Sequence, residues 1–148
     1  MKSVMNMKYS KDILDSVIKT AQMGQIGIRS VLNTPLDTQL QSALRSQLKE
    51  YDTIEKEALH IANSRGWELK NLDPSIKLMT NMMTRMRLSY GNATSKAAAM
   101  MVNGNTKGVI KGLKNLHHFD GNDPRVTNLT QKLIDCEEAN IRQMQRFI

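Results

Sequence analysis

The chain has 148 residues, of which 40% are hydrophobic, 24% charged and 4% aromatic. These values are typical of one globular domain with a sizeable core, and they exclude a disordered chain. The net charge of +7 favours an acidic partner, nucleic acid or an anionic surface.

Cysteine usage and hydropathy indicate the compartment. Cys136 is the sole cysteine in the sequence, so no internal disulfide can form, and the cytoplasm is the expected location. No apolar run approaches the roughly 18 residues of a membrane span, and residues 1–11 do not resemble a signal peptide. We therefore expect one cytoplasmic domain over residues 1–148.

Apolar residues at steps of three and four predict the first two helices, over 10–33 and 37–65. Pro35 separates them, because proline disfavours helix at the preceding residue. Gly66 stands where a glycine after the last helical residue would end the second helix.

The second half of the chain predicts three more helices. A third helix over 74–103 contains Gly91, where it can break or kink. A short fourth helix over 106–118 and a last helix over 124–147 follow. Short links between long amphipathic helices predict antiparallel neighbours. The expected fold is therefore all-α: an antiparallel up-down-up-down four-helix bundle with one short additional helix.

Two segments carry a family resemblance. LKEYDTIEKEALHIANSRGWE, from Leu48 to Glu68, resembles a long helix of bacterial ferritin-like four-helix proteins, including the spore coat F type, which often ends in glycine and an aromatic residue. IDCEEANIRQMQRFI, at the end of the chain, is similar to the closing helix of small uncharacterised clostridial bundle proteins. The resemblance implies a ferritin-like bundle, and such proteins often hold two iron ions through carboxylates and Glu-x-x-His pairs.

The sequence argues against that metal site. Glu57 and His60 form its one Glu-x-x-His pair, and on a helical wheel both point away from the apolar seam. A second such pair is missing, and the first helix has no glutamate. We therefore expect no metal and no cofactor.

Other candidate ligands have structural explanations. A row of methionines in the third helix could bind Cu(I), but core packing explains it better; the row comprises Met79, Met82, Met83, Met86, Met100 and Met101. His117 and His118 are adjacent and diverge on a helix, which favours a surface role. The glycines at 104 and 108 do not have phosphate-loop spacing, and Cys136 is expected to be buried and inert.

The fourth helix offers the best signal for a partner. Lys107, Lys111, Lys114 and His118 fall near one line, and we expect Val109, Leu113 and Leu116 to form the buried face opposite. The three lysines could bind the phosphates of nucleic acid or an anionic surface. A solvated polar face is the simpler interpretation.

A buried polar cluster is also predicted. On the wheels, Glu55, Arg87 and Glu137 lie inside their helices, and their depths along the bundle agree. We expect the Arg87 guanidinium to bridge the two carboxylates where related bundles hold metal. The alternative is that one or more of these side chains extends to solvent.

Taken together, the patterns favour a non-enzymatic structural or interaction protein with a degenerate ferritin-like site and no catalytic residues. The expected partner is a protein, a second copy of the chain included. The alternatives are a ferritin-like metal-binding protein or oxidase, and a basic module that binds nucleic acid or an anionic surface.

Overall fold

The computed structural model describes residues 9–69, 76–87, 92–119 and 121–148, and in the third helix the side chains of 80–86. These residues form α-helices and contain no strand. The helices are α1 Ser10–Leu32, α2 Thr38–Ser64, α3 Ile76–Arg87, α4 Ala93–His117 and α5 Pro124–Gln145. The all-α prediction is confirmed, and α1, α2 and α5 lie close to their predicted bounds.

Local signals fix both ends of α2. The Asp37 carboxylate accepts a hydrogen bond from the backbone N–H of Gln39 at 2.8 Å, which satisfies a donor of the first turn. Gly66 follows the helix with a φ of 67°, a left-handed conformation that residues with a Cβ rarely adopt. The N–H of Trp67 then donates to the Ala62 carbonyl at 2.9 Å, which closes the turn.

The predicted boundary between the third and fourth helices is wrong. The structure ends α3 at Arg87 and begins α4 after Asn92, whose side chain accepts the N–H of Ser95 at 3.3 Å. α4 then continues without a break through residues 103–105, which were predicted as a loop, to His117. A glycine inside a helix costs only about 1 kcal/mol, and the close packing of α4 against α5 offsets that cost.

The buried face of α4 also differs from the prediction. Val109 and Leu116 are only half-buried, and Leu113 is 37% exposed. The buried positions are mostly small or polar: Ala97, Ala98, Met101, Asn105, Gly112 and Asn115. Small residues allow α5 to come close, since the Ile134 side chain lies 2.6 Å from where a Cβ of Gly112 would stand.

The long helices α1, α2, α5 and α4 pack around a shared apolar core in that order, and α3 lies against α1. Neighbouring helices are antiparallel, because residues later in one helix contact residues earlier in its neighbour. For α1 and α2 the contacting pairs are Gly24–Tyr51 and Gln22–Glu55, and for α2 and α5 they are Gln47–Gln143 and Glu57–Lys132. For α1 and α4 they are Ser16–Asn115 and Gly27–Met101, and for α4 and α5 they are Gly108–Glu137 and Gly112–Ile134.

These directions correct the predicted order of the helices. α1 and α5 point one way and α2 and α4 the other, so the chain runs up-down-down-up rather than up-down-up-down. α4 therefore begins at the end of the bundle at which α2 began. The backbone N–H of Asp37 donates to the Thr94 hydroxyl there at 2.9 Å, which ties the starts of α2 and α4 together.

Candidate functional site

A pocket of about 380 Å³ lies between the packed helices, and each of the described helices contributes to its wall. We call it the central pocket. Much of the wall is apolar and flexible, with side chains from Met23, Ile28, Met82, Met100 and Met101. The volume is within the range of small-molecule sites, and methionine adapts readily to the shape of a ligand.

The methionine row divides between core and pocket. Met86 and Met101 are buried, as core packing predicts, and Met82 and Met100 are half-buried. Met82, Met100 and Met101 line the central pocket. Met83 is also half-buried, and the side chain of Met79 lies outside the described residues. The methionine row therefore supplies an adaptable wall as well as a core.

Tyr51 carries a hydroxyl from α2 across to α4. Its ring packs over Gly24 of α1, where a Cβ would stand 2.7 Å from the ring carbons. The hydroxyl donates to the Asn105 side-chain oxygen at 2.7 Å. Burial raises the pKa of Tyr51 above its usual value, and the negative charge of Glu137 adds to the shift. The hydroxyl therefore remains a hydrogen-bond donor.

Glu137 lines the central pocket and is only 2% exposed. Its Oε2 is buried and has no hydrogen-bond partner among the described residues. Burial raises the pKa of Glu137 to about 8. At neutral pH the carboxyl is thus mostly protonated and can donate a hydrogen bond. Gly108 makes room for it, since a Cβ there would lie 2.7 Å from the carboxyl carbon.

Uncharged amides are buried among the long helices, and two of them, Gln47 and Asn105, line the central pocket. The long helices each bury one or more of them: Gln25 from α1, Gln47 from α2, Asn105 and Asn115 from α4, and Asn140 from α5. The Gln47 amide donates to Gln143 at 2.8 Å. Amides provide hydrogen bonds without the negative charge that hard metal ions require, which suits an organic ligand better than a metal pair.

Cys136 lies one turn before Asn140 on α5, and it is half-buried rather than buried as predicted. Its thiol donates to a Glu50 carboxylate oxygen at 3.0 Å. Burial, then the hydrogen bond with Glu50, raises the pKa of the Cys136 thiol. The thiolate is the nucleophilic form, so this environment disfavours nucleophilic chemistry.

The structure gives Glu55 and Glu137 different surroundings. Glu55 is half-buried, and its two oxygens accept hydrogen bonds from Gln22 at 2.7 Å and Gln25 at 2.8 Å, both on α1. Glu137 faces Tyr51 in the central pocket. The side chain of Arg87 lies outside the described residues, so the bridge from Arg87 to the two carboxylates stays a prediction.

The predicted lysine line is exposed along α4. Lys107, Lys111, Lys114 and His118 border a second concavity beside Ile110, which is 49% exposed. Lys107 and Lys111 also line the central pocket, whereas Lys114 does not. In the part of the chain that the structure describes, neither pocket lysine belongs to an ion pair.

The Glu57 and His60 side chains are exposed, in agreement with the helical wheel. Glu57 accepts a hydrogen bond from Lys132 of α5 at 3.2 Å. His117 and His118 are exposed as well. Among the described residues, no three His, Cys, Asp or Glu side chains are grouped so that they could hold a metal ion.

The sequence patterns do not predict the hydrogen bond between Tyr51 and Asn105 beside Glu137, for two reasons. Tyr51 fits the apolar seam of its helix, a pattern that predicts core packing and gives its hydroxyl no role. Asn105 falls between the predicted third and fourth helices, where a loop is expected. The available signal was the recurrence of glutamine and asparagine on the faces that also bear core residues, such as Gln47 beside Leu44 and Asn140 beside Met144.

External comparisons add no family to this picture. Within the described residues, no helix combines the length and apolar character needed to cross a bilayer. No protein-family model, curated protein or solved structure matches the chain.

Proposed function

We propose that this chain is a non-enzymatic binding protein with a ferritin-like helix arrangement, whose central pocket takes a small, largely apolar organic molecule in place of a metal pair. Ferritin-like folds join two helix hairpins by one long crossover and place their sites in the bundle core. The connection over 65–92, between the α1–α2 and α4–α5 hairpins, supports that arrangement.

One observation carries the proposal: Glu137 lies in the wall of a pocket of about 380 Å³, and its buried Oε2 has no hydrogen-bond partner among the described residues. Buried polar atoms almost always have hydrogen-bond partners, and an exception needs an explanation. A few convergent polar groups in an otherwise apolar pocket are typical of small-molecule sites. A ligand that hydrogen-bonds Glu137 and fills the methionine-lined space would satisfy both features.

The chemistry of the pocket supports binding rather than catalysis. Covalent catalysis needs a nucleophile activated by a base or by a lowered pKa. The pKa of Tyr51 in the pocket wall is raised, and so is the pKa of Cys136 outside the pocket. The three histidines of the sequence, His60, His117 and His118, are all exposed.

The alternatives have less support. A ferritin-type iron site needs clustered carboxylate and histidine ligands, which the described residues do not bring together. Binding of nucleic acid through Lys107, Lys111 and Lys114 would need a surface that tracks phosphates, and two of these lysines also face the central pocket. Self-association and a cytoplasmic location stay predictions.

A fluorescence titration with the neutral apolar dye N-phenyl-1-naphthylamine tests the proposal. Gly104 lies among the pocket residues of α4, and a Cβ there would meet no atom within 4 Å. Gly104→Leu should therefore add apolar bulk at the wall of the pocket, with no clash at its Cβ. Thr106→Leu is the matched control, because Thr106 is exposed on the same helix and does not line the pocket.

We expect one dye per chain, and about tenfold or greater weakening in Gly104→Leu, the equivalent of at least 1.4 kcal/mol. Thr106→Leu should bind as the parent does. Absence of dye binding, or equal binding by the parent and Gly104→Leu, would contradict the proposal.

A further inference from the structure

The central pocket has an apolar interior and a positively charged rim. The interior is apolar apart from the hydrogen-bonding groups around Glu137. Lys107 and Lys111, one turn apart on α4, are exposed and also line the pocket, so they stand where it meets solvent. A ligand that fits both regions is apolar at one end and charged at the other.

We propose that the natural ligand is an organic anion, whose acid group binds Lys107 and Lys111 while its apolar body lies against the methionine wall. This proposal rests on the proposed function and adds the chemical class of the ligand. An acid group and two ammonium groups form charge-assisted hydrogen bonds, which are stronger than neutral ones. The chain's net charge of +7 also favours the approach of an anion.

The charges that line the pocket favour an anion over a cation. A cation could pair with Glu137, but it would have to pass the two lysines at the rim. It would also require an ionised carboxylate in a site where burial raises the pKa of Glu137 to about 8. The protonated carboxyl instead donates to an oxygen on the ligand or accepts from an N–H. Neither interaction requires a positive ligand.

The apolar wall distinguishes this ligand from free phosphate or sulfate. A small inorganic ion would occupy the rim and leave the methionine-lined space empty. The surface around Lys107 and Lys111 would then bind it no better than any exposed lysine pair. The acid group therefore has to be attached to an apolar body that reaches Met82, Met100 and Met101.

Two related dyes separate the contributions of charge and apolar body. 8-Anilinonaphthalene-1-sulfonate carries a sulfonate that N-phenyl-1-naphthylamine lacks, and both contain the same aryl amine. The dissociation constant of each dye is measured for the parent, for the double variant Lys107→Gln/Lys111→Gln, and for Lys114→Gln. Lys114→Gln is the matched control, since Lys114 lies on the same exposed line but does not line the central pocket.

We expect the double variant to weaken binding of the sulfonate dye about tenfold or more, the effect of losing charge-assisted hydrogen bonds. Binding of the neutral dye should change less than twofold, and Lys114→Gln should leave both dyes unaffected. Equal weakening of both dyes, no weakening of the sulfonate dye, or an equal effect of Lys114→Gln would overturn the anion proposal.

Competition then identifies the apolar body. Displacement of the sulfonate dye by decanoate supports an aliphatic acid, and displacement by naphthalene-1-sulfonate supports an aromatic one. Displacement by neither, or equally by sodium sulfate at the same ionic strength, would overturn the proposal. If the neutral dye binds and Gly104→Leu removes it while the lysine variants have no effect, the binding function stands and the anion fails. If Gly104→Leu weakens neither dye, both proposals fail.

Discussion

At the scale of single residues, the Glu137 carboxyl lies where a side chain at position 108 would begin. A Cβ at Gly108 would stand 2.7 Å from the carboxyl carbon of Glu137, which is too close for either group to keep its position. Gly108→Ala should therefore destabilise the parent by about 1–3 kcal/mol, as overpacking does. In a Glu137→Ala background the same change should be neutral or stabilising by up to about 1 kcal/mol, because alanine favours helix over glycine.

Urea denaturation of the four proteins in this double-mutant cycle measures the coupling between the two positions. Equal effects of Gly108→Ala in both backgrounds would show that the carboxyl does not lie over the glycine.

The protonation of Glu137 predicts a specific dependence of stability on pH. Its pKa is about 8 in the folded protein against 4.5 for the unperturbed group, so between these values the folded chain binds the proton that the unfolded chain has lost. The unfolding free energy should then fall as pH rises, with a slope of up to about 1.4 kcal/mol per pH unit. The contribution is complete below about pH 4.5 and lost above about pH 8.

The matched control is Glu137→Gln, which keeps the shape of the side chain but cannot ionise. The difference in unfolding free energy between parent and variant, measured by urea denaturation from pH 5 to pH 9, isolates this group. The parent should lose stability relative to the variant across that range. Parallel profiles would show that Glu137 titrates normally in the folded chain.

Sequence reasoning reached part of this site. Helical periodicity placed Glu137 inside, because it falls among the apolar positions of a long regular helix. It could not identify Tyr51 as a neighbour, since which side chains meet depends on the order and direction of the helices. Arg87 could be placed only on a face of its helix, and the bridge to it stays a prediction.

At the scale of helices, α1, α2 and α5 were predictable because each has a continuous apolar row and clear end signals. α4 was not, because it buries alanine, glycine and asparagine, residues that leave no apolar period. Apolar periodicity therefore predicts a loop at Asn103–Gly104–Asn105, inside what is a continuous helix. It also assigns Met100 and Met101, which belong to α4, to the predicted third helix.

Two glycines test the corrected boundary of α4. A Cβ would meet no atom within 4 Å at either Gly66 or Gly104, but Gly66 has a φ of 67° and Gly104 lies in a helix. Gly104→Ala should therefore stabilise the chain by about 0.5–1 kcal/mol. Gly66→Ala should destabilise it by about 1–2 kcal/mol, the cost of a left-handed residue with a Cβ.

Thermal unfolding followed by circular dichroism measures both changes. Destabilisation by Gly104→Ala would indicate a loop at this position, as periodicity alone predicts.

At the scale of the whole molecule, the order of the helices determines which residues meet. The up-down-down-up order sets α4 beside both α1 and α5, so the lysines of α4 reach the rim of a pocket whose interior holds Glu137 of α5. An up-down-up-down chain would place α4 differently relative to α1 and α2. Periodicity contains no information about the end of the bundle at which α4 begins.

The central claim is that the space between the helices binds an organic ligand, and methionine methyl groups report on it most closely. In protein labelled with carbon-13 at these methyls, titration with N-phenyl-1-naphthylamine should shift the signals of Met82, Met100 and Met101, which line the central pocket. The signal of Met144, which is 0% exposed and does not line the pocket, should stay in place. Uniform shifts, shifts at Met144 alone, or none at the three pocket methionines would contradict the claim.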